Sequence, residues 1–333
     1  MQGLKNNKIV LYCSRLFVPL QPKRSIMRWN HVMKGIMLLT AWAVTTAKAE
    51  NITFADANVK ALCVANWDTD NDGELSTEEA AAVTSLGTVF REKTNITTFN
   101  ELQFFTGLTS INDYAFYKST IERVTFPTTV TAIGEYAFSQ SNIGTELVIP
   151  GTVKTIGNYA YFSCKRLNRV VLQEGVETIG WHTFSGPIAV LSLPTTLTYM
   201  SSMAIDPYVN ADPSAGIFIP EGDLWVYVHS KTPAAINEYA FYYVFGEAHL
   251  VVPPGCIDAY KAVPGWSHFG EYLVLGDVNG DGAVNVLDVT TLVSYVLNEP
   301  QETFVEAAAD VNGDGNINSL DITAIVSIIL NQE

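Results

Sequence analysis

A short phrase of apolar and small residues recurs through the middle of the chain, in variants of Ile-Gly-x-Tyr-Ala-Phe. Its copies begin at Ile111, Ile133, Ile156, Ile179 and Ile236, and the first four are spaced 22 or 23 residues apart. A spacing of roughly 20–29 residues is typical of repeats that contribute one short strand and a return segment each. Because so short a strand cannot bury its apolar side alone, the pattern predicts coils stacked around one continuous core.

A second phrase of β-favouring residues, usually closed by proline, lies between these copies. It spans residues 124–127, 147–150, 170–173, 191–194, 217–220 and 250–253. Proline removes a backbone donor and so ends a strand, and we expect the glycine after the isoleucine to permit a tight turn. The two phrases predict an α/β solenoid of short parallel strands in roughly seven coils over residues 99–275. Residues 200–235 are expected to form a degenerate coil with an inserted loop.

The Ile-Gly-x-x-Ala-Phe phrase, alternating with a Val-x-Ile-Pro strand, resembles the BspA-like leucine-rich repeats of bacterial surface and secreted proteins. Residues 250–266, which begin Leu-Val-Val-Pro and end Gly-Trp, resemble the short helical terminator of that family. Members are implicated in adhesion and in binding host or matrix components. The resemblance therefore implies a binding role, although a shared fold does not by itself identify the ligand.

Ahead of the repeats, residues 68–79 match the twelve-residue EF-hand calcium loop at every fixed position. Calcium takes about six to eight oxygen ligands, which carboxylates at positions 1, 3, 5 and 12 and a carbonyl at position 7 provide. Helices are expected on both sides of the loop, over 59–65 and 78–83. The predicted ligands are Asp68, Asp70, Asp72, Glu79 and the backbone carbonyl of Glu74.

Two further loops near the C-terminus, residues 277–288 and 310–321, are copies of one another. We refer to residues 68–79, 277–288 and 310–321 as loops A, B and C. Apolar residues follow loops B and C at helical spacing, which predicts one amphipathic helix after each. The predicted calcium ligands of these loops are Asp277, Asn279, Asp281, the Ala283 carbonyl, Asp288, Asp310, Asn312, Asp314, the Asn316 carbonyl and Asp321.

The tandem loop and helix over residues 276–330 is similar to a type I dockerin. In that family the duplicated unit folds on calcium and binds a cohesin module of a scaffold or cell-surface protein, so the resemblance implies a cohesin-like protein partner. Loop positions 10 and 11, often Ser or Thr in the family, are Val286-Leu287 and Ser319-Leu320 here. Calcium is expected to be structural in all three loops, because extracellular modules bind it at about 10⁻⁴–10⁻³ M without switching.

The charge of the chain is unevenly distributed. Residues 1–49 hold eight of the 19 basic residues and none of the 34 acidic ones, so residues 50–333 carry a formal charge of −23. A basic start, an apolar run over 35–44 and Ala-Lys-Ala at 47–49 are typical of a secretory signal peptide that begins at Met27 or Met33. An uncleaved anchor is the alternative, although the run is shorter than the roughly 20 residues that span a bilayer. The acidic remainder argues against nucleic acid as a partner.

These features predict four segments: a signal peptide (1–49), an EF-hand-like N-terminal cap (50–98), BspA-like repeats with a C-terminal cap (99–275) and a dockerin-like domain (276–333). The fold class is thus a leucine-rich-repeat solenoid with small α-helical calcium-binding modules at both ends. After the signal peptide, the cysteines lie at long, unrelated spacings and the histidines are scattered. Small buried hydrophobic side chains are therefore expected rather than a disulfide framework or a zinc site.

One repeat position carries tyrosine in four copies, Tyr114, Tyr136, Tyr159 and Tyr239, and histidine in another, His182. These rings fit two interpretations. They could form an aromatic ladder that binds a glycan or a protein. Packing between coils is the favoured interpretation, because solenoids place large side chains at fixed registers.

The chain contains no G-x-S-x-G, H-E-x-x-H or phosphate-binding loop. Acidic residues outside the loops, such as Glu122, Glu146, Glu177 and Asp206, are expected on a solvated repeat surface. The sequence therefore predicts a secreted or cell-surface, non-catalytic recognition solenoid, stabilised by Ca²⁺ and tethered through its dockerin-like domain. The alternative is an accessory component of an extracellular, cellulosome-like assembly that degrades polysaccharides.

Overall fold

A computed structural model describes residues 50–207, 223–241, 244, 248–299 and 303–331. The predicted signal peptide and the strand phrase at 217–220 lie outside these residues. The described residues all belong to one compact unit. Within the described part of the chain, no helix is both long and apolar enough to cross a membrane.

Two short helices flank loop A, as expected: α1 (Ala57–Trp67) and α2 (Thr77–Ala82). Asp56 caps α1 with one carboxylate oxygen, and its other oxygen accepts a hydrogen bond from the Thr97 backbone N–H at 2.7 Å. This carboxylate therefore fastens the N-terminal helix to the start of the solenoid.

The strands, numbered along the chain, are β1 Thr98–Phe99, β2 Ser110–Ile111, β3 Arg123–Val124, β4 Ala132–Ile133, β5 Glu146–Ile149, β6 Thr155–Ile156, β7 Arg169–Leu172, β8 Thr178–Ile179, β9 Phe184–Ser185, β10 Val190–Leu193, β11 Tyr199–Met200, β12 Ile205–Asp206, β13 Leu224–Val228, β14 Ala235–Ile236, β15 Ala248–Val252 and β16 Glu271–Val274. All named strand pairs are parallel.

Two six-stranded parallel sheets form the walls of the solenoid. The main sheet has the order β16-β15-β13-β10-β7-β5, and the second sheet, of two-residue strands, has the order β14-β11-β8-β6-β4-β2. In the second sheet the phrase isoleucines pair in register, as Ile111 with Ile133 and Ile156 with Ile179. The predicted solenoid is confirmed, with about seven turns.

The aromatic residue that ends each phrase fills the core. Phe116, Phe138, Tyr161 and Phe184 are fully buried and stack on one another at centroid distances of 4.9 to 5.4 Å. Prolines end strands as predicted, since β5, β10 and β15 each stop one residue before one. The three cysteines of the described residues are buried and free, also as predicted.

The expected role of the phrase glycine is wrong. Gly157 does not adopt a left-handed conformation; instead, a Cβ there would lie 2.9 Å from the Ile133 carbonyl oxygen of the neighbouring coil. Glycine is therefore needed because two backbones approach closely. The left-handed residue is the aromatic one two positions later, with φ of 55° at Tyr136, 56° at Tyr159 and 46° at His182.

The last coils differ from the expectation in detail. β13, which pairs with both β10 and β15, lies in the segment expected to be degenerate. Its Leu-Trp-Val-Tyr-Val sequence is not followed by proline, so the phrase pattern missed it. A short helix, α3 (Ile257–Lys261), lies in the predicted terminator segment, but β16 follows it as the edge strand of the main sheet. The buried Trp266 donates to the Ala234 carbonyl at 3.0 Å.

The C-terminal module contains α4 (Val286–Val296) and α5 (Ser319–Leu330), one after each loop as predicted. A 3-10 helix, Glu306–Ala308, lies between them. Leu292 and Ile325 are fully buried in a small core that also includes Val251 of β15. The module thus packs directly against the main sheet of the solenoid.

Candidate metal centres

Loops A, B and C share one backbone geometry. The position-6 glycines Gly73, Gly282 and Gly315 have φ of 85°, 88° and 85°. Their N–H groups donate to the position-1 aspartates at 2.8 to 2.9 Å. A left-handed conformation is natural for glycine, so this residue turns the chain back around the position-1 carboxylate.

Positions 3 and 5 repeat the same arrangement in each loop. Asp70, Asn279 and Asn312 accept the position-5 N–H at 3.1, 2.9 and 2.8 Å. The position-5 aspartates accept the N–H of the position-7 residue, and these pairs are Asp72 with Glu74, Asp281 with Ala283 and Asp314 with Asn316. The position-3 and position-5 side chains therefore have the same backbone partners in all three loops.

The acidic residue at position 12 also helps to cap the N-terminus of the following helix. Glu79, Asp288 and Asp321 occupy the third helical position and form capping boxes with the N-cap residues Ser76, Asn285 and Asn318. The capping role of these N-cap residues is absent from the sequence predictions above. The spacing Ser/Asn-x-x-Glu/Asp before an apolar helix is a readable signal for them.

Burial of acidic side chains indicates that loops B and C fit a cation. Asp288 and Asp321 are fully buried, and Asp277 is 8% exposed. Burial raises the pKa of Asp288, although backbone N–H groups of Asn285 and Asn279 oppose the shift. A buried carboxylate needs a compensating charge, which a divalent ion would supply.

Asp310 gives a sharper test of fit in loop C. Its Oδ2 accepts the Gly315 N–H at 2.9 Å, whereas its Oδ1 is buried and has no hydrogen-bond partner. Burial raises the pKa of this carboxyl group, although the Gly315 N–H and Arg169 oppose the shift. An orphaned carboxylate oxygen of this kind is a suitable calcium ligand.

Loop A gathers its carboxylates closely. Asp68, Asp70 and Glu79 each place one oxygen within 4.8 Å of the others. Although burial opposes it, hydrogen bonds from Ser76 and Thr69 lower the pKa of Glu79 to about 2, so this group is ionised at neutral pH. The donor set of loop A therefore also fits calcium.

The tyrosine ladder is a stack whose ring faces are covered. Tyr136 stacks on Tyr114 at 4.9 Å and on Tyr159 at 4.6 Å, and Tyr159 stacks on His182 at 5.5 Å. Tyr239 is 46% exposed. Because a sugar ring stacks on an aromatic face, the geometry favours packing for the stacked members.

The acidic residues of the repeat surface lie mostly where expected. Glu122, Glu146 and Glu177 have side chains that are 38%, 57% and 48% exposed. Asp206 differs, since its side chain is 13% exposed and its Oδ2 lies 3.8 Å from Nδ1 of His182. The expectation of a solvated Asp206 is therefore wrong.

Sequence reasoning missed one contact with loop C altogether. Arg169 of β7 lies against Asp310, which is 141 residues away along the chain. No local pattern signals a contact over such a separation.

Comparison with known families agrees with this architecture. Residues 88–207 match the BspA type leucine rich repeat region in six copies, and residues 275–330 match the dockerin type I domain. No curated protein matches the chain. Both matches are to non-catalytic module types. Type I dockerin domains bind calcium, and both module types are typical of extracellular or cell-surface proteins.

Proposed function

We propose that the protein is a secreted recognition solenoid, without catalytic activity, that is held on a partner protein by its C-terminal module. The observation that carries the tethering role is the exposure of large apolar side chains in the first turn of each module helix. Val286, Leu287 and Leu320 are 67%, 55% and 59% exposed. Large apolar side chains left in water at matching positions of two repeated units favour a protein interaction site.

A dockerin domain implies a cohesin-type partner. In this chain positions 10 and 11 of the module loops are mainly apolar, so we expect a partner that presents an apolar patch to them. Loops A, B and C each hold one calcium ion in this proposal, through the ligands predicted from the sequence. The ion offsets buried carboxylate charge and so stabilises the loop and its capped helix.

The solenoid is the recognition element in this proposal, with a host, matrix or glycan ligand. The dockerin match also supports a second candidate, an accessory role in an extracellular polysaccharide-degrading assembly. Turnover of a polysaccharide by the purified protein would contradict both candidates, because neither includes catalysis.

Capture of the full chain by immobilised type I cohesin modules, with calcium and with EGTA, tests the tether. We expect capture only with calcium. The double variant L287D/L320D should lose capture, since two charges would enter an apolar interface. The control L297D alters a residue that is 63% exposed at the other end of α4 and should still be captured.

Calcium-independent capture, or equal capture of both variants, would rule out this tether. Failure of every cohesin to capture a calcium-loaded chain would rule out the cohesin-type partner.

A further inference from the structure

Loops B and C have nearly the same sequence but different surroundings. At Gly315 a Cβ would lie 3.1 Å from the Arg169 guanidinium, and at Gly313 it would lie 3.5 Å from the Ser192 hydroxyl oxygen. At Gly282, the loop B counterpart of Gly315, a Cβ would meet no atom of the described chain within 4 Å. Loop C therefore lies flush against the main sheet of the solenoid, whereas this part of loop B does not.

Arg169 makes the polar contacts across this junction. Its Nη2 donates to the Gly313 carbonyl at 3.0 Å and lies 3.5 Å from Asp310 Oδ2. Its Nε lies 3.4 Å from Oε1 of Glu146 on the adjacent strand β5. The guanidinium is thus held between a solenoid carboxylate and the position-1 carboxylate of loop C.

We infer that Arg169 is a positioning residue for calcium in loop C and that it couples this site to the docking of the module on the solenoid. The inference rests on the proposed calcium function. Arg169 and the Gly315 N–H both engage Asp310 Oδ2, which leaves the orphaned Oδ1 as the oxygen available to an ion. Outer groups of this kind orient metal ligands and tune affinity.

A cation near a metal site usually weakens binding by repulsion. Here Glu146, whose Oε1 lies 3.4 Å from Arg169 Nε, offsets part of the charge of Arg169. The hydrogen bond from Arg169 Nη2 to the Gly313 carbonyl also holds the backbone of loop C in place. Because coupling between two equilibria is reciprocal, calcium in loop C should in turn hold the module on the sheet.

Calorimetric calcium titration of the full chain tests the inference. Variants D277N and D310N identify the binding steps of loops B and C. R169A should lower the affinity of the loop C step about tenfold or more and leave the loop A and B steps unchanged. R169K, which keeps the charge but loses the planar fork, should also lower it.

The matched control is R123A, which removes an exposed arginine from β3, an earlier strand of the solenoid. It should leave all calcium steps unchanged. Amide hydrogen exchange of the calcium-loaded proteins gives a second readout. Exchange should accelerate in loop C of R169A but not in loop B.

An unchanged or increased loop C affinity in folded R169A or R169K would overturn the inference while leaving the proposed calcium function intact. Absence of any calcium binding by the wild-type chain would instead overturn the proposed function, and the inference with it.

Discussion

Among the buried hydroxyl groups of the described chain that lack a hydrogen-bond partner, one lies in the aromatic column of the solenoid core. Tyr161 is fully buried in the central aromatic stack, where neighbouring coils carry Phe138 and Phe184, and its OH is unpaired. An unsatisfied buried hydroxyl destabilises a fold by roughly 1–3 kcal/mol. This position therefore holds a local defect in an otherwise apolar column.

Replacement of Tyr161 by Phe should raise the free energy of unfolding by about 1 kcal/mol, measured by urea denaturation. Tyr260 provides the control, since it is also buried but its OH donates to the Ser230 carbonyl at 2.8 Å. Tyr260→Phe should lower stability instead. Equal effects of the two substitutions would contradict this account.

At the scale of the repeat element, close backbone contact between coils restricts one position to glycine. Gly157→Ala should destabilise the protein by about 1–3 kcal/mol, because the added methyl group meets backbone atoms that cannot move aside. Gly144 is the control: a Cβ there would meet only the Glu122 carbonyl oxygen, at 3.6 Å. A thermal midpoint for G157A no lower than that for G144A would contradict the packing argument.

The tyrosine ladder is tested at the same scale. Tyr136→Ala removes two stacked contacts and should cost about 1–3 kcal/mol of stability, since each pair contributes about 0.5–1.5 kcal/mol. Tyr136→Phe should retain most of the wild-type stability, because the ring still stacks. Tyr239→Ala should have little effect on stability, since Tyr239 is more exposed. A Y136A protein as stable as wild type that loses a ligand would support the binding interpretation.

Periodicity made the elements predictable from sequence, because each coil repeats the same local choices. The isoleucine and Ala-Phe positions, the proline stops and the two helices after loops B and C all followed from spacing. The left-handed tyrosines and the β13 strand did not. The tyrosine conformation depends on the neighbouring coil, whose Asn158 carbonyl accepts the Tyr136 N–H, and β13 is not followed by proline.

At the scale of the whole molecule, calcium should control stability. Chelation by EGTA should lower the thermal unfolding midpoint, and added calcium should raise it. The free energy of unfolding should increase with the logarithm of the calcium concentration, by about 2.7 kcal/mol at 100 times the Kd of one site. The double variant D288N/D321N should respond less to calcium. In EGTA it should be no more stable than wild type, because an Asn side chain has one acceptor oxygen where each Asp uses two to accept backbone N–H groups.

A thermal midpoint of the wild-type chain that does not respond to calcium would contradict this prediction.

The placement of the module itself could not be predicted from sequence. It depends on Arg169 and on Val251, Trp225 and Tyr227 of the solenoid, which lie against module residues far along the chain.

The junction between Arg169 and loop C also constrains how the protein can evolve. Repeat arrays lengthen and shorten by duplication or deletion of whole coils. An extra coil between β7 and β16 would separate Arg169 from Asp310 by one strand spacing, about 4.8 Å, which exceeds the reach of a hydrogen bond. A coil added before β5 would leave that distance unchanged. Related proteins that keep this junction should therefore vary in repeat number only on the N-terminal side of Arg169.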